Sequence, residues 1–225
     1  MPIVERSGSI FTSDAQVLVN TVNCVGVMGA GIALEMRYRH PDMFRRYEAK
    51  CASGEIRIGT LDLDTKTTPW ILNFPTKKHW RHPSRPEYLR AGLSRFCESW
   101  TDWSIVSIAF PLLGASHGGL EPAESRAIMD QYLNPLPIDI EIWQFSAMSA
   151  DDLVPKLRRQ FSQATDAAIA NASGLPVGKV GLLRTHLGHV TQLGQLAGIR
   201  GLGEQTIGLT YRYALAIDPD TPMIT

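Results

Sequence analysis

The segment "NFPTKKHWRHPSR", residues 73–85, concentrates side chains that can do chemistry. They include the cations and the rings of Lys77, Lys78, His79, Trp80, Arg81, His82 and Arg85. Adjacent cations lower the pKa of a lysine because they disfavour its charged form. A partly neutral amine attacks an aldehyde-like or anomeric carbon and forms a Schiff base. The same cluster could instead only attract a phosphate ligand or be solvated surface, and spacing alone does not separate these interpretations.

A first glycine loop lies in "NTVNCVGVMGAGIALEM", residues 20–36, where Gly26, Gly29 and Gly31 separate a strand from a helix. A helix N-terminus presents unpaired N–H groups and the positive end of its dipole, which favours an anionic or phosphate-bearing ligand. The amides of Asn20 and Asn23 suit the hydroxyl groups of a sugar. A tight turn needed only for packing is the competing interpretation.

This loop does not match the dinucleotide-binding fingerprint. That motif requires G-x-G-x-x-G, but Gly29-Ala30-Gly31 is followed by Leu34 at the third glycine position. A Rossmann assignment is therefore excluded.

A second glycine loop repeats the arrangement in "SIVSIAFPLLGASHGGLEPAE", residues 104–124. Gly114, Gly118 and Gly119 follow an apolar strand and precede a helix. Two such loops at strand ends can grip a diphosphate from both sides. His117 lies within the loop, where it could contact a ligand, act as acid or base, or simply be polar surface.

Strands and helices alternate up to about residue 150, as is typical of an α/β sandwich. We predict strands at Gln16–Val22, Ile56–Asp64, Trp70–Phe74, Ser104–Leu112 and Ile138–Phe145. We predict helices at Ile32–Arg39, from Pro41 onward, from the "SRPE" at residues 84–87, and at Glu121–Leu133. In the third helix Ser84 is expected to cap and Glu87 to complete a capping box. Its expected buried stripe is Leu89, Leu93, Phe96 and Trp100.

The pattern changes beyond Ala150, where strand signals become sparse. Residues 151–172 read as one amphipathic helix, and the rest is glycine-dotted with short helical or irregular segments. The expected apolar face of that helix is Leu153, Leu157, Phe161, Ala164 and Ala168. We therefore predict an α/β domain over residues 1–150 and a small, mainly helical region over residues 151–225.

Composition narrows the class of protein. The chain has 225 residues with 22 basic and 22 acidic side chains, so the basic excess usual in duplex-wrapping or anionic-membrane proteins is missing. Cys24, Cys51 and Cys97 form neither a CxxC pair nor a disulfide framework. No signal peptide or membrane segment is recognisable, so we expect a soluble, cytoplasmic protein. Separately, we expect no metal or cofactor.

With these segments in place, the chain resembles the macrodomain family, the ADP-ribose-binding α/β/α module. Within that family it is similar to the DarG-like DNA ADP-ribosyl glycohydrolases, which act as antitoxins. The matching motifs are "NTVNCVGVMGAGIALEM", "GEIRIGTLDL" at 54–63, "ILNFPTKKHWR" at 71–81, "PSRPEYLRAGL" at 83–93 and "PLLGASHGGLEPAE" at 111–124. They occur in the family's order across roughly residues 4–146.

The resemblance implies a three-layer α/β/α fold with a mixed sheet of six or seven strands and an ADP-ribose cleft at the strand ends. It implies that the first loop wraps the distal ribose and that the second binds the diphosphate through backbone amides. The implied ligand-binding residues are Ser9, Ile10, Asn20, Asn23, Gly29, Ala30, Gly31, Ile32, Thr76, Leu113, Gly114, Ala115, Ser116, Gly118, Gly119, Leu120 and Trp143.

The resemblance also implies the chemistry. Lys77 stands at the family's catalytic lysine, which attacks or assists opening at the anomeric carbon of the distal ribose. Gly118 stands where protein-directed relatives carry a second-loop carboxylate, so the acid or base would be His117 or a water. The implied substrate is ADP-ribosylated DNA, single-stranded in character, and the implied partner is a cognate ADP-ribosyltransferase toxin. The alternatives are a hydrolase of protein-linked ADP-ribose or O-acetyl-ADP-ribose, and a non-catalytic ADP-ribose or partner-binding protein.

Two positions near the expected adenine need comment. Ser9 departs from the family pattern, and two aromatic residues compete for the stacking role. Macrodomains usually carry an aspartate where this chain has Ser9, so the adenine amine would meet a neutral acceptor, a weaker bond by about 1 kcal/mol. Stacking on an aromatic ring could compensate. Trp143 stands at the family's stacking position, with Phe145 as a substitute, although Trp143 could instead be a core residue.

Overall fold

The computed structural model describes residues 3–217. The chain divides into two compact units, one ending at Phe145 and the other beginning at Ser146.

The first unit contains a mixed sheet of six strands. They are β1 (Val4–Gly8), β2 (Val17–Asn23), β3 (Asp62–Asp64), β4 (Trp70–Lys77), β5 (Ser107–Pro111) and β6 (Asp139–Phe145). The strand order is β1-β6-β5-β2-β4-β3. All neighbouring pairs are parallel except β3 and β4, which are antiparallel.

Helices cover both faces of this sheet. They are α1 (Gly31–Arg39), α2 (Pro41–Ala52), α3 (Pro86–Ser99) and α4 (Pro122–Leu133). One core layer packs α3 and α4 against Val17, Val19 and Phe110 of the sheet. The other packs α1 and α2 against Leu18 and Ile71. The predicted three-layer α/β/α fold with a mixed sheet is confirmed.

The strands are apolar on both faces because helices cover both faces. Successive residues Val17, Leu18 and Val19 are all at most 2% exposed although their side chains alternate between the two layers. Such strands read as continuous hydrophobic runs, which is why their positions could be predicted within a few residues.

The two edge strands were predicted less well. β1 was not predicted, because its residues Val4–Ser7 are exposed and mostly charged or polar. The strand expected over Ile56–Asp64 is reduced to Asp62–Asp64. Its first half instead forms a turn, in which Gly59 has φ +83° and the N–H of Thr60 donates to the carbonyl of Arg57 at 3.0 Å.

The predicted capping box at the start of α3 is wrong. The helix begins at Pro86 with Arg85 as its N-cap residue, and no side chain caps it. Ser84 has a different role: its N–H donates to the carbonyl of Gly118 at 2.9 Å, and its hydroxyl is buried without a hydrogen-bond partner. A contact with the second glycine loop thus replaces the local cap.

The second unit is helical. It contains α5 (Val154–Gln163), α6 (Asp166–Ser173), α7 (Val177–Leu187) and α8 (Glu204–Ala216), with a 3-10 turn at Leu193–Gly198. The Asp151 carboxylate joins its start to this turn, because it accepts the N–H groups of Leu153, Val154 and Leu193 at 2.6–3.0 Å. The predicted mainly helical C-terminal region is confirmed over its described residues.

The single helix expected over residues 151–172 is two helices. Ala164 is extended, and the Thr165 hydroxyl accepts the N–H of Ala168 at 3.2 Å, which starts α6. Leu153, Leu157 and Phe161 are buried as predicted, whereas Ala164 and Ala168 are half-buried and Ile169 fills the core of α6. A threonine with a strong capping tendency therefore interrupts an otherwise continuous apolar pattern.

Across residues 3–217, no helix is long and apolar enough to cross a membrane.

Candidate functional site

The candidate site lies at the carboxyl ends of β2, β4 and β5 in the first unit. β2 and β5 are parallel neighbours near the centre of the sheet. β2 leads to α1 on one face, and β5 leads to α4 on the other. In open α/β sheets, the usual ligand site is the crevice at the carboxyl ends of two neighbouring parallel strands whose following helices lie on opposite faces of the sheet.

The first glycine loop is shaped by Asn23 at the end of β2. The Asn23 amide donates to the carbonyl of Val27 at 2.5 Å, and its oxygen accepts the N–H groups of Val25 and Val27 at 3.0 and 3.3 Å. The Tyr47 hydroxyl also donates to the carbonyl of Asn23 at 2.6 Å. These bonds use the amide oxygen and one of the two amide N–H groups, so Asn23 holds the loop in shape.

Asn20 also differs from the expectation of a sugar contact. It is 0% exposed, and its amide donates to the oxygen of Asn73 at 2.9 Å. The Asn73 amide in turn donates to the Asp62 carboxylate at 3.0 Å. The Asn20 oxygen is buried without a partner. Asn20 therefore belongs to a polar chain inside the sheet, beneath the loop.

The main chain at the start of α1 is free to bind a ligand. Ala30 is the N-cap residue and no side chain caps the helix, so its first N–H groups lack intrahelical acceptors. Gly29, Ala30 and Gly31 are exposed and Ile32 is half-buried. These four predicted residues lie together at one wall of the crevice.

The second glycine loop uses part of its main chain for its own folding. The N–H groups of Ala115, Gly119 and Leu120 donate to the carbonyls of Leu112, Ala115 and Gly114 at 3.4, 2.8 and 3.0 Å. Among the hydrogen bonds of residues 3–217, none uses the N–H of Ser116, His117 or Gly118. The amides at the tip of the loop are thus the ones available for an anion.

Other predicted residues of this loop are structural. Leu113 is fully buried, and its carbonyl accepts the Ser125 hydroxyl of α4 at 2.6 Å. Gly114 has φ +65°, and a side chain there would lie 3.0 Å from Ser84 and from Leu120. These residues can touch a ligand only through their backbone.

Gly118 has no room for a side chain. A Cβ atom at this position would lie 2.0 Å from the carbonyl oxygen of Gly114. The carboxylate that we expected to be missing from the second loop is therefore sterically excluded by the present loop conformation.

The two glycine loops touch through His117 and Gly31. A Cβ atom at Gly31 would lie 2.9 Å from the imidazole Cδ2 of His117, and Gly31 has φ +55°. The bare backbone at Gly31 thus lets the exposed His117 ring pack against the start of α1. The contact brings the two glycine loops together.

Lys77, the last residue of β4, follows an irregularity in the sheet. Val22 pairs with Pro75, but Asn23 pairs with Lys77, so Thr76 is an extra residue opposite β2. Such a bulge redirects the side chains that come after it. The Lys77 amine reaches the second loop and donates a hydrogen bond to the main-chain carbonyl of His117. Thr76 itself is buried.

Burial lowers the pKa of Lys77 below its ordinary value of 10.5. A lowered pKa was expected from the sequence, but for a different reason. The sequence suggested repulsion from neighbouring cations, whereas in the structure the cause is desolvation of the amine. The amine is therefore more readily neutral than an exposed lysine.

Cys24 is the other nucleophilic atom near Lys77. Burial, followed by the nearby Cys51, raises the pKa of the Cys24 thiol to about 11. The thiol donates to the carbonyl of Lys77 at 3.3 Å. A protonated, partnered thiol is a poor nucleophile, which leaves Lys77 as the reactive group here. No sequence signal had indicated this contact.

The opposite end of the crevice contains Ser9, Ile10 and the end of β6. Gly8 pairs with Phe145 in the sheet, and the buried Ser9 comes next in the chain. Trp143 is only 8% exposed, packs in the core with Ile10 and donates its indole N–H to Glu141 at 2.8 Å. Trp143 is thus a core residue and not the expected stacking platform. Phe145, which is 65% exposed, presents the open ring.

Metal ligation has no support from the arrangement of side chains within residues 3–217, where no three His, Cys, Asp or Glu residues are grouped to hold an ion. The expectation of a metal-free site remains a prediction.

Comparison with known proteins identifies relatives of this fold and sequence. The Macro domain family model matches residues 19–129. A Mycobacterium tuberculosis protein named DNA ADP-ribosyl glycohydrolase is 47% identical over 132 residues, which cover 56% of this chain and 38% of that protein. The chain therefore spans well under half the length of this relative.

Solved structures agree. The macrodomain of Mycobacterium tuberculosis DarG superposes with a TM-score of 0.62 at 42% identity, covering 64% of this chain and 99% of that one. Thermosipho africanus DarTG in complex with ADP-ribose gives a TM-score of 0.58 at 32% identity, covering 61% of this chain and 41% of that one. From the crevice, the paired glycine loops and these matches, we conclude that the chain belongs to the macrodomain family.

Proposed function

We propose that the chain is an ADP-ribosyl glycohydrolase that removes ADP-ribose from a modified nucleic-acid base, with single-stranded DNA as the substrate. The position of Lys77 carries this proposal: its partly desolvated amine stands between two glycine loops whose free amides suit a diphosphate. The Mycobacterium tuberculosis relative is named for the same reaction, and the Thermosipho africanus protein was solved with ADP-ribose.

ADP-ribose would bind with its diphosphate against the N–H groups at the start of α1 and at the tip of the second loop. The adenine would lie towards Ser9 and Phe145, and the distal ribose towards Lys77. Helix N-termini and loops of free amides hold phosphate oxygens in this way. The residues that bind through their backbone would be Ile10, Gly29, Ala30, Gly31, Ile32, Ser116 and Gly118.

The reaction would begin with the neutral Lys77 amine. Its lone pair forms a C–N bond to the anomeric carbon of the distal ribose, or assists ring opening there, while the bond to the base breaks. The base leaves with the bonding electrons and takes up a proton from His117 or a water. Loss of the amine proton and ring opening give a Schiff base. Water adds to it and releases ADP-ribose and the free amine.

The excluded side chain at Gly118 supports a nucleic-acid substrate over a protein-linked one. Protein-directed relatives are expected to use a carboxylate in the second loop, and a Cβ at Gly118 would lie 2.0 Å from the Gly114 carbonyl. Without that carboxylate, Lys77 is left as the main reactive group.

The test uses two kinds of conjugate, ADP-ribosylated single-stranded DNA and ADP-ribosylated protein. Wild-type protein should release ADP-ribose from the DNA conjugate and much less from the protein conjugate. Lys77→Ala should lower the rate by about 100-fold or more, in the range of a lost acid-base or covalent group, while ADP-ribose still binds by calorimetry. Lys77→Arg keeps the charge and should be equally inactive.

A covalent intermediate gives a second readout. Borohydride added during turnover should reduce the Schiff base to a stable amine on Lys77, detectable by peptide mass. Retained DNA cleavage by Lys77→Ala would exclude the lysine mechanism. Binding of ADP-ribose without turnover of any conjugate would favour a non-catalytic reader.

We also propose that the protein acts in the cytoplasm as the antitoxin of a cognate ADP-ribosyltransferase. In this proposal residues 1–150 carry the hydrolase and residues 151–225 contact the toxin. The separate compact unit that begins at Ser146 supports such a division of roles. Co-purification with a neighbouring transferase tests it, using the whole chain and residues 1–150 after ADP-ribose binding has verified the folding of the latter. Equal capture by both would exclude a role for the second unit.

A further inference from the structure

A stretch of chain that we call the rim segment, Lys78–Arg85, borders the crevice and contacts both glycine loops. At one end, the Cys24 N–H of the first loop donates to the carbonyl of Lys78 at 3.3 Å. At the other, the Ser84 N–H donates to the carbonyl of Gly118 in the second loop at 2.9 Å. The rim segment is therefore fixed beside Lys77, and most of its side chains between the anchors are exposed.

Within the part of the chain that the structure describes, the cations of the rim segment have no acidic partners. Lys78, Arg81 and Arg85 are exposed, and residues 76–86 contain no Asp or Glu. None of these three cations takes part in an ion pair among the described residues 3–217, although most other arginines of the first unit do. In a chain of zero net charge, unpaired cations concentrated beside the crevice are suited to phosphate groups.

The rim segment also exposes aromatic surface. Trp80 is 47% exposed, with the His79 ring stacked at 5.5 Å and the Arg81 guanidinium 4.6 Å from its ring centre. Lys78 and Arg85 lie 5.8 and 6.0 Å from the Tyr88 ring, at the start of α3. Trp80 is absent from both core layers of the first unit. Cations interleaved with exposed rings are the composition of surfaces that bind single-stranded nucleic acid.

We infer that the rim segment binds the single strand next to the modified nucleotide: Trp80 stacks on a neighbouring base, and Lys78, Arg81 and Arg85 contact phosphates. This rests on the proposed function for the identity of the modified nucleotide, but the strand contact itself does not require turnover. A duplex keeps its bases stacked on each other, so it leaves no base for Trp80. The rim segment therefore selects a single strand over a duplex. Because its contacts lie beyond the modified nucleotide, it also favours a strand over a free ADP-ribosyl nucleoside.

The first experiment measures binding of an unmodified fluorescent deoxy-oligonucleotide to the whole protein by anisotropy. Trp80→Ala should weaken binding about tenfold, within the range of one lost base stack, and Trp80→Phe should recover most of it. Arg81→Ala should lower the slope of log affinity against log salt by about 0.7, the value for one lost phosphate contact on a single strand. Trp80→Ala should leave that slope unchanged.

Lys66→Ala is the matched control, because Lys66 is an exposed cation in the turn after β3, away from the rim segment. It should bind the oligonucleotide like wild type. All variants must bind ADP-ribose with wild-type affinity, which verifies their folding. A ribo-oligonucleotide of the same sequence distinguishes the two sugars, and tight binding of either single strand supports the inference.

The second experiment compares turnover of an ADP-ribosylated oligonucleotide with that of the ADP-ribosylated mononucleoside. Trp80→Ala should raise KM for the oligonucleotide about tenfold and leave the mononucleoside unaffected. Equal affinity of wild type and Trp80→Ala for the strand, or a preference for duplex, would overturn the inference. Strand binding by a wild type that turns over no conjugate would overturn the proposed function alone.

Discussion

The Lys77 amine donates a hydrogen bond to the main-chain carbonyl of His117. This bond joins the end of β4 to the tip of the second glycine loop, and the His117 ring in turn packs against Gly31. The reactive amine and both loops therefore form one contact network. Burial lowers the pKa of the Lys77 amine, so a larger fraction of it is neutral at a given pH than in an exposed lysine.

The pH dependence of turnover should reveal the role of Lys77. Because burial lowers its pKa below 10.5, the neutral amine becomes abundant at a lower pH than in an exposed lysine. If the amine is the nucleophile, kcat/KM should rise with pH through this lowered pKa and then level off. A plot of kcat/KM against pH from 6 to 10 with the DNA conjugate measures this. A rate that falls with pH over the same range would show that Lys77 acts as a cation.

Substitution of Gly118 should damage the second loop. In Gly118→Ala the new Cβ lies 2.0 Å from the Gly114 carbonyl oxygen, so the backbone must move. We expect ADP-ribose affinity to fall at least tenfold and unfolding free energy to drop by about 1–3 kcal/mol.

Gly119→Ala is the control for Gly118→Ala. Gly119 has φ +79° but nothing within 4 Å of the added atom, so it carries backbone strain of about 1 kcal/mol without a collision. Calorimetry and urea denaturation of both variants would separate the two effects. Equal losses in both would contradict a steric role for Gly118.

Phe145 should contribute to adenine binding, and Trp143 should contribute to stability. Phe145→Ala removes a ring that is 65% exposed and should weaken ADP-ribose binding about tenfold with little change in stability. Trp143→Ala removes a core ring and should cost about 3–5 kcal/mol of unfolding free energy. Phe145→Tyr keeps a stacking surface and should bind like wild type. Unchanged ADP-ribose affinity in Phe145→Ala would exclude it as the platform.

His40, between α1 and α2, should make the protein less stable in mild acid. Burial, followed by Arg39, lowers the pKa of His40 to about 4, although Asp64 opposes the shift. Between about pH 6.5 and 4 the unfolded chain binds a proton that the native protein does not, so stability falls as pH falls through this window. His40→Asn should lose less stability than wild type between pH 7.5 and 5, as measured by urea denaturation. Parallel losses would contradict this account.

The sequence predicted the central elements because buried strands and amphipathic helices have strong periodic patterns. It failed at the edges of the sheet, where β1 is exposed and Gly59 turns the chain before β3. The helix break at Thr165 was hidden because the apolar pattern runs on through it. The hydrophobic pattern of a segment does not show whether a side chain such as the Thr165 hydroxyl will bond to the main chain and start a new helix.

The structure brings the two predicted glycine loops and Lys77 together, but several predicted side chains make contacts that the sequence did not indicate. The glycine loops and Lys77 could be located because each comes at or just after the end of a strand with a clear apolar pattern. Asn20 and Asn23 were assigned to the ligand, yet their amides serve the sheet and the loop. Trp143 was assigned to adenine, yet its position in β6 points it into a core layer. Such choices depend on strand register, which only the folded chain defines.

Because Thr76 is an extra residue between the regular part of β4 and Lys77, the direction of the Lys77 side chain can be changed without changing the strand pairing that precedes it. The β2–β4 ladder is regular up to Val22 and Pro75, so the pairs before the extra residue keep their register whether or not Thr76 is present. If Thr76 were deleted, β4 would pair with β2 without a break, and Lys77 would move up by one position in the strand. Its side chain would then point to the opposite face of the sheet. The geometry of the nucleophile is thus adjustable by chain length at a single place, a property useful for redesigning which sugar or leaving group the crevice accepts.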